Sequence, residues 1–176
     1  MTAEQDKATA SAGLDGSGLR IGVVQARWNI EIVDRLRDGV DRGLADLGVA
    51  AADVVHVTVP GSFELPMGAR LLAASGYVDA VICLGSVIRG ETSHYELVSG
   101  ESAAGIQQVQ LTTGVPVAFG VLTTEDVEQA LARSEGPGGH NVGEDAAVVA
   151  VEMARLAEEY PVGKPRPGRS GVIGFR

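Results

Sequence analysis

Apolar positions along the chain alternate between two rhythms. Largely apolar runs over 19–26, 54–59, 78–88 and 115–122 read as strands buried on both faces. Between them the apolar residues step three and four apart. Over 30–47, Val33, Leu36, Val40, Leu44 and Leu47 share one helical face, and Gly48 stands where a helix-ending glycine belongs. The same rhythm predicts helices over 64–74, stopped by Ser75-Gly76, and over 94–113, followed by Gly114. A T-x-x-D start at 123–126 predicts a helix running to about Arg133. A glycine-rich linker over 135–143 leads to a last helix whose buried face is read from Ala146, Val149, Met153, Leu156 and Tyr160. Strand-helix alternation with apolar strands predicts an α/β fold: a four-stranded parallel sheet in a three-layer sandwich, with right-handed crossovers placing helices on both faces. Ligand sites in such sheets lie beyond the carboxyl ends of the strands.

The two ends differ from this core. Residues 1–18 are small and polar and predict a disordered tail. Residues 161–176 carry Pro161, Pro165 and Pro167 with four basic side chains and predict an irregular tail, leaving one domain over 19–160. A net charge of −9 and no long basic run argue against nucleic acid, and any bound anion must be held by local groups. The single cysteine, Cys83, sits in an apolar run and can form neither an internal disulfide nor a cysteine metal cage. No apolar run reaches the roughly 18–20 residues of a membrane span, and no secretion signal opens the chain. A cytoplasmic protein without membrane contact is expected.

Candidate chemistry gathers in C-L-G-S-V-I-R-G-E-T-S-H-Y-E, residues 83–96. A strand end breaks at Arg89-Gly90-Glu91, and Ser93 with Glu96 has the S-x-x-E spacing of a capping box for a helix starting at His94. A helix N-terminus offers unpaired N–H groups to an anion, and a histidine beside it can pass protons. Taken alone, the segment reads equally as a well-capped turn with a surface histidine. The aromatic residues sharpen the choice. Trp28 and Phe63 sit just past the first and second strands, where a cleft is expected to accept a flat heteroaromatic ligand, and Glu64 beside Phe63 can accept its hydrogen bonds. Both rings filling helix-sheet gaps, with Glu64 solvated, is the plainer alternative. No G-x-G-x-x-G follows the first strand and no lysine-bearing phosphate loop occurs, which argues against a dinucleotide or nucleotide. His56, on a strand, is read as structural.

Three longer segments carry a resemblance: V-P-G-S-F-E-L-P (59–66), L-G-S-V-I-R-G-E-T-S-H-Y-E (84–96) and F-G-V-L-T-T-E-D-V-E-Q-A-L-A-R (119–133). In that order they resemble the lumazine synthases of riboflavin biosynthesis, over about residues 19–160. The resemblance implies a flavodoxin-like fold and a homopentamer, in some members assembled into an icosahedral shell, with sites between subunits and possible contact with riboflavin synthase. It implies condensation of 5-amino-6-(D-ribitylamino)uracil with 3,4-dihydroxy-2-butanone 4-phosphate, without metal or cofactor. It assigns Trp28 to ring stacking, and Ser62, Phe63 and Glu64 to holding the ribitylaminouracil. Ser86, Val87 and Ile88 bind the same substrate through backbone groups. Glu91 and Thr92 flank the butanone phosphate, and His94 transfers protons. Phe119 and Arg133 come from the adjacent subunit, to the ring and to the phosphate.

One departure stands out. Where members commonly carry a lysine in a G-N-K-G-like run, this chain has H-N-V-G, with Val142 at that place. A cation near the phosphate is lost unless His140 or a basic tail residue substitutes. The linker over 134–143, with Pro137, looks slightly longer than in shell-forming members, which favours a lone pentamer over a shell. The alternatives are a catalytically weak paralogue that binds lumazine or flavin, or a flavodoxin-like flavin carrier.

Overall fold

The computed structural model describes residues 13–162. The elements run β1 (Ile21–Ala26), α1 (Ile30–Asp46), β2 (Val54–Val59), α2 (Leu65–Ala74), β3 (Ala80–Ile88), α3 (His94–Thr113), β4 (Val117–Thr124), α4 (Val127–Leu131) and α5 (Val142–Glu159). The four strands form one sheet in the order β2-β1-β3-β4, all pairs parallel. This is the flavodoxin-like sandwich expected from the alternation.

Alternate residues of the central strands feed two separate cores. Ala80, Ile82 and Leu84 of β3 join Val33, Leu36, Val40 and Leu44 of α1 and the small residues of α5. Val81, Cys83 and Val87 join Leu65 and Ala69 of α2 and Ile106 and Val109 of α3. This period-two split is what a sheet covered on both faces demands. Each fully buried Leu, Val or Ile contributes roughly 1.5–3 kcal/mol relative to exposure. The α1 stripe is as the spacing predicts, and Gly48, at φ +81°, closes the helix while Val49 N–H bonds back to the Leu44 carbonyl at 2.9 Å.

The last helix does not bury the face read from its large residues. Gly143, Ala146, Ala147, Ala150, Val151 and Ala154 are buried, whereas Val149, Met153, Leu156 and Tyr160 are exposed. Close packing on α1 is the reason. A Cβ built on Gly43 would lie 2.9 Å from the Ala147 Cβ, and one on Gly143 only 1.9 Å from the Leu36 carbonyl oxygen. Only small side chains fit between helices that close, so the larger apolar residues face outward.

Several element bounds and one cap differ from those expected. β3 begins at Ala80, and β4 runs to Thr124, so Thr123 and Thr124 belong to the strand. Asp126 is the true cap of α4, accepting the Gln129 N–H at 2.7 Å. The Ser93–Glu96 capping box does not form, because Ser93 makes no side-chain cap and Glu96 pairs with Arg89. Residues 13–18, read as part of a disordered tail, pack on the domain. The Gly16 N–H reaches the Leu47 carbonyl at 2.6 Å, and Arg155 donates to the carbonyls of Asp15 and Ser17, each at 2.8 Å. The readings for residues 1–12 and 163–176 lie outside the described residues. Among the described residues no helix is long and apolar enough to cross a membrane.

Candidate active site

The strand order places the reversal of winding between β1 and β3, where ligand crevices form in sheets of this kind. Here the ladders are unequal. β1 pairs with β3 from Ile21–Ala80 to Gln25–Leu84, whereas β3 continues along β4 as far as Ile88–Thr124. Past Leu84 the β1 side of β3 therefore lacks a strand partner. One backbone group there is taken: the Ser86 carbonyl accepts the Asn29 side-chain amide at 2.8 Å.

A cavity of about 730 Å³ opens at this place. Its lining includes Trp28, Ser62, Phe63, Glu64, Ser86, Val87, Ile88 and His94, all singled out in the sequence, together with Asn29, Gly61, Leu97 and Val98. Trp28 is 73% exposed and Phe63 58%, so the two largest rings of the strand ends are not core residues. Rings this exposed contribute little to folding, and their placement suits a flat ligand.

Local geometry fixes each lining group. A tight turn over Ser62–Glu64 precedes α2, and the Glu64 carboxylate accepts the Gly61 N–H at 2.9 Å. The Ser62 carbonyl accepts the buried Ser102 hydroxyl of α3 at 2.8 Å, tying this turn to the helix that begins at His94. Two glycines allow the close approach. A Cβ on Gly85 would meet the Ser62 hydroxyl oxygen at 2.6 Å, and one on Gly61 would meet Trp28 Cδ1 at 3.0 Å. His94 itself starts α3, its N–H lying 3.4 Å from the Thr92 hydroxyl oxygen.

Asn29 carries no periodic signal and was not singled out by sequence. It sits at φ 56°, ψ 42°, the one non-glycine residue with positive φ among the described residues. Asparagine tolerates that region better than most residues. Its amide holds β3 instead of capping α1. An asparagine at the junction of a strand end and a helix start was the available clue.

The other assigned residues lie outside the cavity lining. Glu91 and Thr92 are exposed in the loop before His94. Phe119 is 41% exposed on β4, which is an edge strand of the sheet. Arg133, exposed beyond α4, donates to the Gln129 carbonyl at 3.0 Å. Val142, where the resemblance expects lysine, packs partly against the first core, and His140 Nε2 is engaged with the Asp145 carboxylate at 3.2 Å. The linker is closed by a Ser134–Asn141 bridge.

Charge beside the site centres on Arg89. Hydrogen bonds to Glu96 and then to Glu125 hold its pKa above the usual guanidinium value, and Arg89 in turn holds the Glu96 carboxyl below the usual carboxylate range. Burial pushes the Cys83 thiol up, so it stays protonated and inert. No group of three or more metal-binding side chains occurs among the described residues.

Fold and cavity together define a parallel α/β sandwich protein with a ring-lined pocket and a histidine at the switch point of its sheet. A family model described as 6,7-dimethyl-8-ribityllumazine synthase matches residues 18–158. Proteins of that name from Paraburkholderia phytofirmans and Paraburkholderia xenovorans are each 55% identical over 144 residues, covering 82% of this chain and 83% of theirs. One from Burkholderia multivorans is 53% identical over 143 residues, covering 81% of this chain and 80% of its own. The chain belongs to the 6,7-dimethyl-8-ribityllumazine synthase family.

Proposed function

We propose that the chain condenses 5-amino-6-(D-ribitylamino)uracil with 3,4-dihydroxy-2-butanone 4-phosphate to 6,7-dimethyl-8-ribityllumazine, the transferase step before riboflavin itself is made. The observation that carries this reading is the convergence of Trp28, Phe63, Glu64 and His94 on one cavity in a member of this family. The uracil stacks on the exposed rings, and Glu64 and the backbone at 86–88 take its polar edge. The substrate amine attacks the ketone and water leaves as an imine forms. Phosphate is then eliminated, and ring closure releases a second water. The overall change is redox-neutral, and its demands are positioning and proton transfer. His94 moves the protons, while Glu91 and Thr92 flank the phosphate.

Phe119 and Arg133 serve a neighbouring subunit's site in this reading, which their exposure outside the cavity supports. Arginine forks two hydrogen bonds to a phosphate. With Val142 apolar and His140 engaged by Asp145, Arg133 is the main cation for that anion. The exposed apolar side chains Leu97, Leu111, Val149, Met153 and Leu156 argue for burial against other copies. A lone homopentamer in the cytoplasm is the assembly we favour over an icosahedral shell, with contact to riboflavin synthase as a further partner and no role for nucleic acid. Sedimentation tests the assembly, since a particle many times heavier than five chains overturns it.

Assay of the purified chain with both substrates tests the activity, and absence of the fluorescent product overturns it. His94→Ala is expected to lower kcat by about a hundredfold, the scale of a lost proton-transfer group. Arg133→Ala is expected to raise KM for the phosphorylated substrate about tenfold with less effect on the other.

A further inference from the structure

Four serine and threonine side chains lie within α3, and one of them is used differently. Ser99, Thr112 and Thr113 each bond back to the carbonyl four residues earlier in their own helix, at 2.6, 2.7 and 2.8 Å. Ser102 is fully buried and donates instead to the Ser62 carbonyl, 2.8 Å away in the turn before α2. Alanine is the better helix former and buries no polar group, so neither the helix nor the core asks for a hydroxyl here. The Ser62 carbonyl does not require it either, because it already accepts the Leu65 N–H.

What the bond supplies is position. The turn over 61–64 is otherwise tied to itself, the Glu64 N–H bonding the Gly61 carbonyl at 3.2 Å and the Gly61 N–H bonding the Glu64 carboxylate at 2.9 Å. Among the described residues, Ser102 makes the one hydrogen bond that joins this turn to an element distant in sequence. Packing limits the turn on two sides. A Cβ on Gly85 of β3 would lie 2.6 Å from the Ser62 hydroxyl oxygen, and one on Gly105 of α3 would lie 2.6 Å from Pro66 Cγ. Contact with strand and helix blocks movement inward, but contact alone does not resist movement away. The Ser102 bond does. Ser102 lies about two turns beyond His94 in the same helix, so the bond fixes the lining residues Ser62, Phe63 and Glu64 relative to His94. We propose that Ser102 is a positioning residue whose hydroxyl holds the 61–64 turn against α3, so that Phe63 and Glu64 meet the ribitylaminouracil in register with His94. This rests on the substrate assignment made above.

The test uses the full chain and two readouts: steady-state kinetics with both substrates, and quenching of Trp28, the only tryptophan and a cavity residue, by the ribitylaminouracil. Ser102→Ala is expected to raise KM for the ribitylaminouracil, and its dissociation constant, about tenfold. The KM for the butanone phosphate stays within about twofold. The urea midpoint shifts by no more than about 0.5 M, the scale of one hydrogen bond partly offset by helix propensity. A merely structural role gives the opposite pattern, a smaller active fraction and a lower apparent kcat with both KM values unchanged. Ser99→Ala, which removes a hydroxyl bonded only within α3, leaves the constants near wild type. Ser102→Cys, similar in size but a weak donor, falls between wild type and Ser102→Ala, and serves if the alanine variant does not fold. The proposal is overturned if the Ser102 variants leave both ribitylaminouracil constants unmoved, or if Ser99→Ala raises them as much. If the ribitylaminouracil neither quenches Trp28 in the wild-type chain nor is turned over, the substrate assignment has failed and this proposal with it. If the wild type binds it and the Ser102 variants bind it equally well, the failure belongs to Ser102 alone.

Discussion

The two faces of the sheet are built to different tolerances. On one, α5 closes on α1 through glycine and alanine, and the packed strip leaves no room for a single added carbon at Gly143. On the other, α3 runs for 20 residues yet buries only Ser102, Ile106 and Val109. On the first face the seam between α1 and α5 is closed within one chain, while the outer side of α5 still exposes Val149, Met153 and Leu156. The second, with the exposed rings at its strand ends, leaves apolar surface and open backbone for a ligand and for further copies of the chain. Stability and function are thus separated by the sheet, and substitutions on the two faces should report different quantities.

The largest effect is expected on the closed face. Gly143→Ala drives a Cβ into the Leu36 carbonyl, 1.9 Å away, where backbone must yield. A loss of about 3 kcal/mol is expected, the upper range for overpacking, read as a lower urea midpoint. Gly100→Ala on α3 meets nothing within 4 Å. It should gain about 0.5–1 kcal/mol from the better helix former. If Gly100→Ala costs as much as Gly143→Ala, the contrast drawn from one chain does not hold in solution.

Asn29 stands where the two faces meet, and its substitutions sharpen the comparison. Alanine there keeps the left-handed strain and loses the amide bond to the Ser86 carbonyl, whereas glycine loses only the bond. Asn29→Ala should therefore be about 1 kcal/mol less stable than Asn29→Gly. Both should weaken substrate binding to a similar degree, because both release the end of β3. Denaturant midpoints and KM for the ribitylaminouracil separate strain from the hydrogen bond.

These features were unequally visible in the residues. The α1 stripe was legible because its buried positions are large and regularly spaced. α5 was misread because a pattern of large apolar residues says nothing of how near a neighbouring helix comes, and at close range alanine outcompetes leucine for the interior. The Ser93–Glu96 motif was a sound local signal overridden by an arginine four residues before Ser93, whose side-chain direction no spacing rule supplies. The cavity lining was readable because strand ends were readable, and in such sheets ligands collect there. Asn29 was not, since one residue in an unusual conformation leaves no period. In the proposed reading Phe119 and Arg133 serve a second chain, and a single sequence read for one chain's core contains no such contact.

The smallest expected effect lies at the rim of the closed face, where His56 on β2 meets Gln25 at 2.7 Å and Gln25 in turn donates to Asp34 at 2.6 Å. Because the Gln25 amide nitrogen is spent on Asp34, its oxygen accepts from the imidazole Nε2–H. Partial burial, followed by the nearby Arg37 charge, lowers the His56 pKa from 6.5, outweighing the opposite pull of Asp41 and Asp34. A depressed folded-state pKa means that the unfolded chain binds more protons just below the unperturbed value, so stability falls as pH drops through that window. Between about pH 7 and pH 5 the wild-type midpoint should decline more steeply than that of His56→Gln, which keeps a hydrogen-bonding side chain without the titration. Solvent screening at this rim keeps the difference small. Parallel declines in the two proteins would mean that the imidazole feels the same surroundings folded and unfolded, and that the rim is as open as the far side of the sheet.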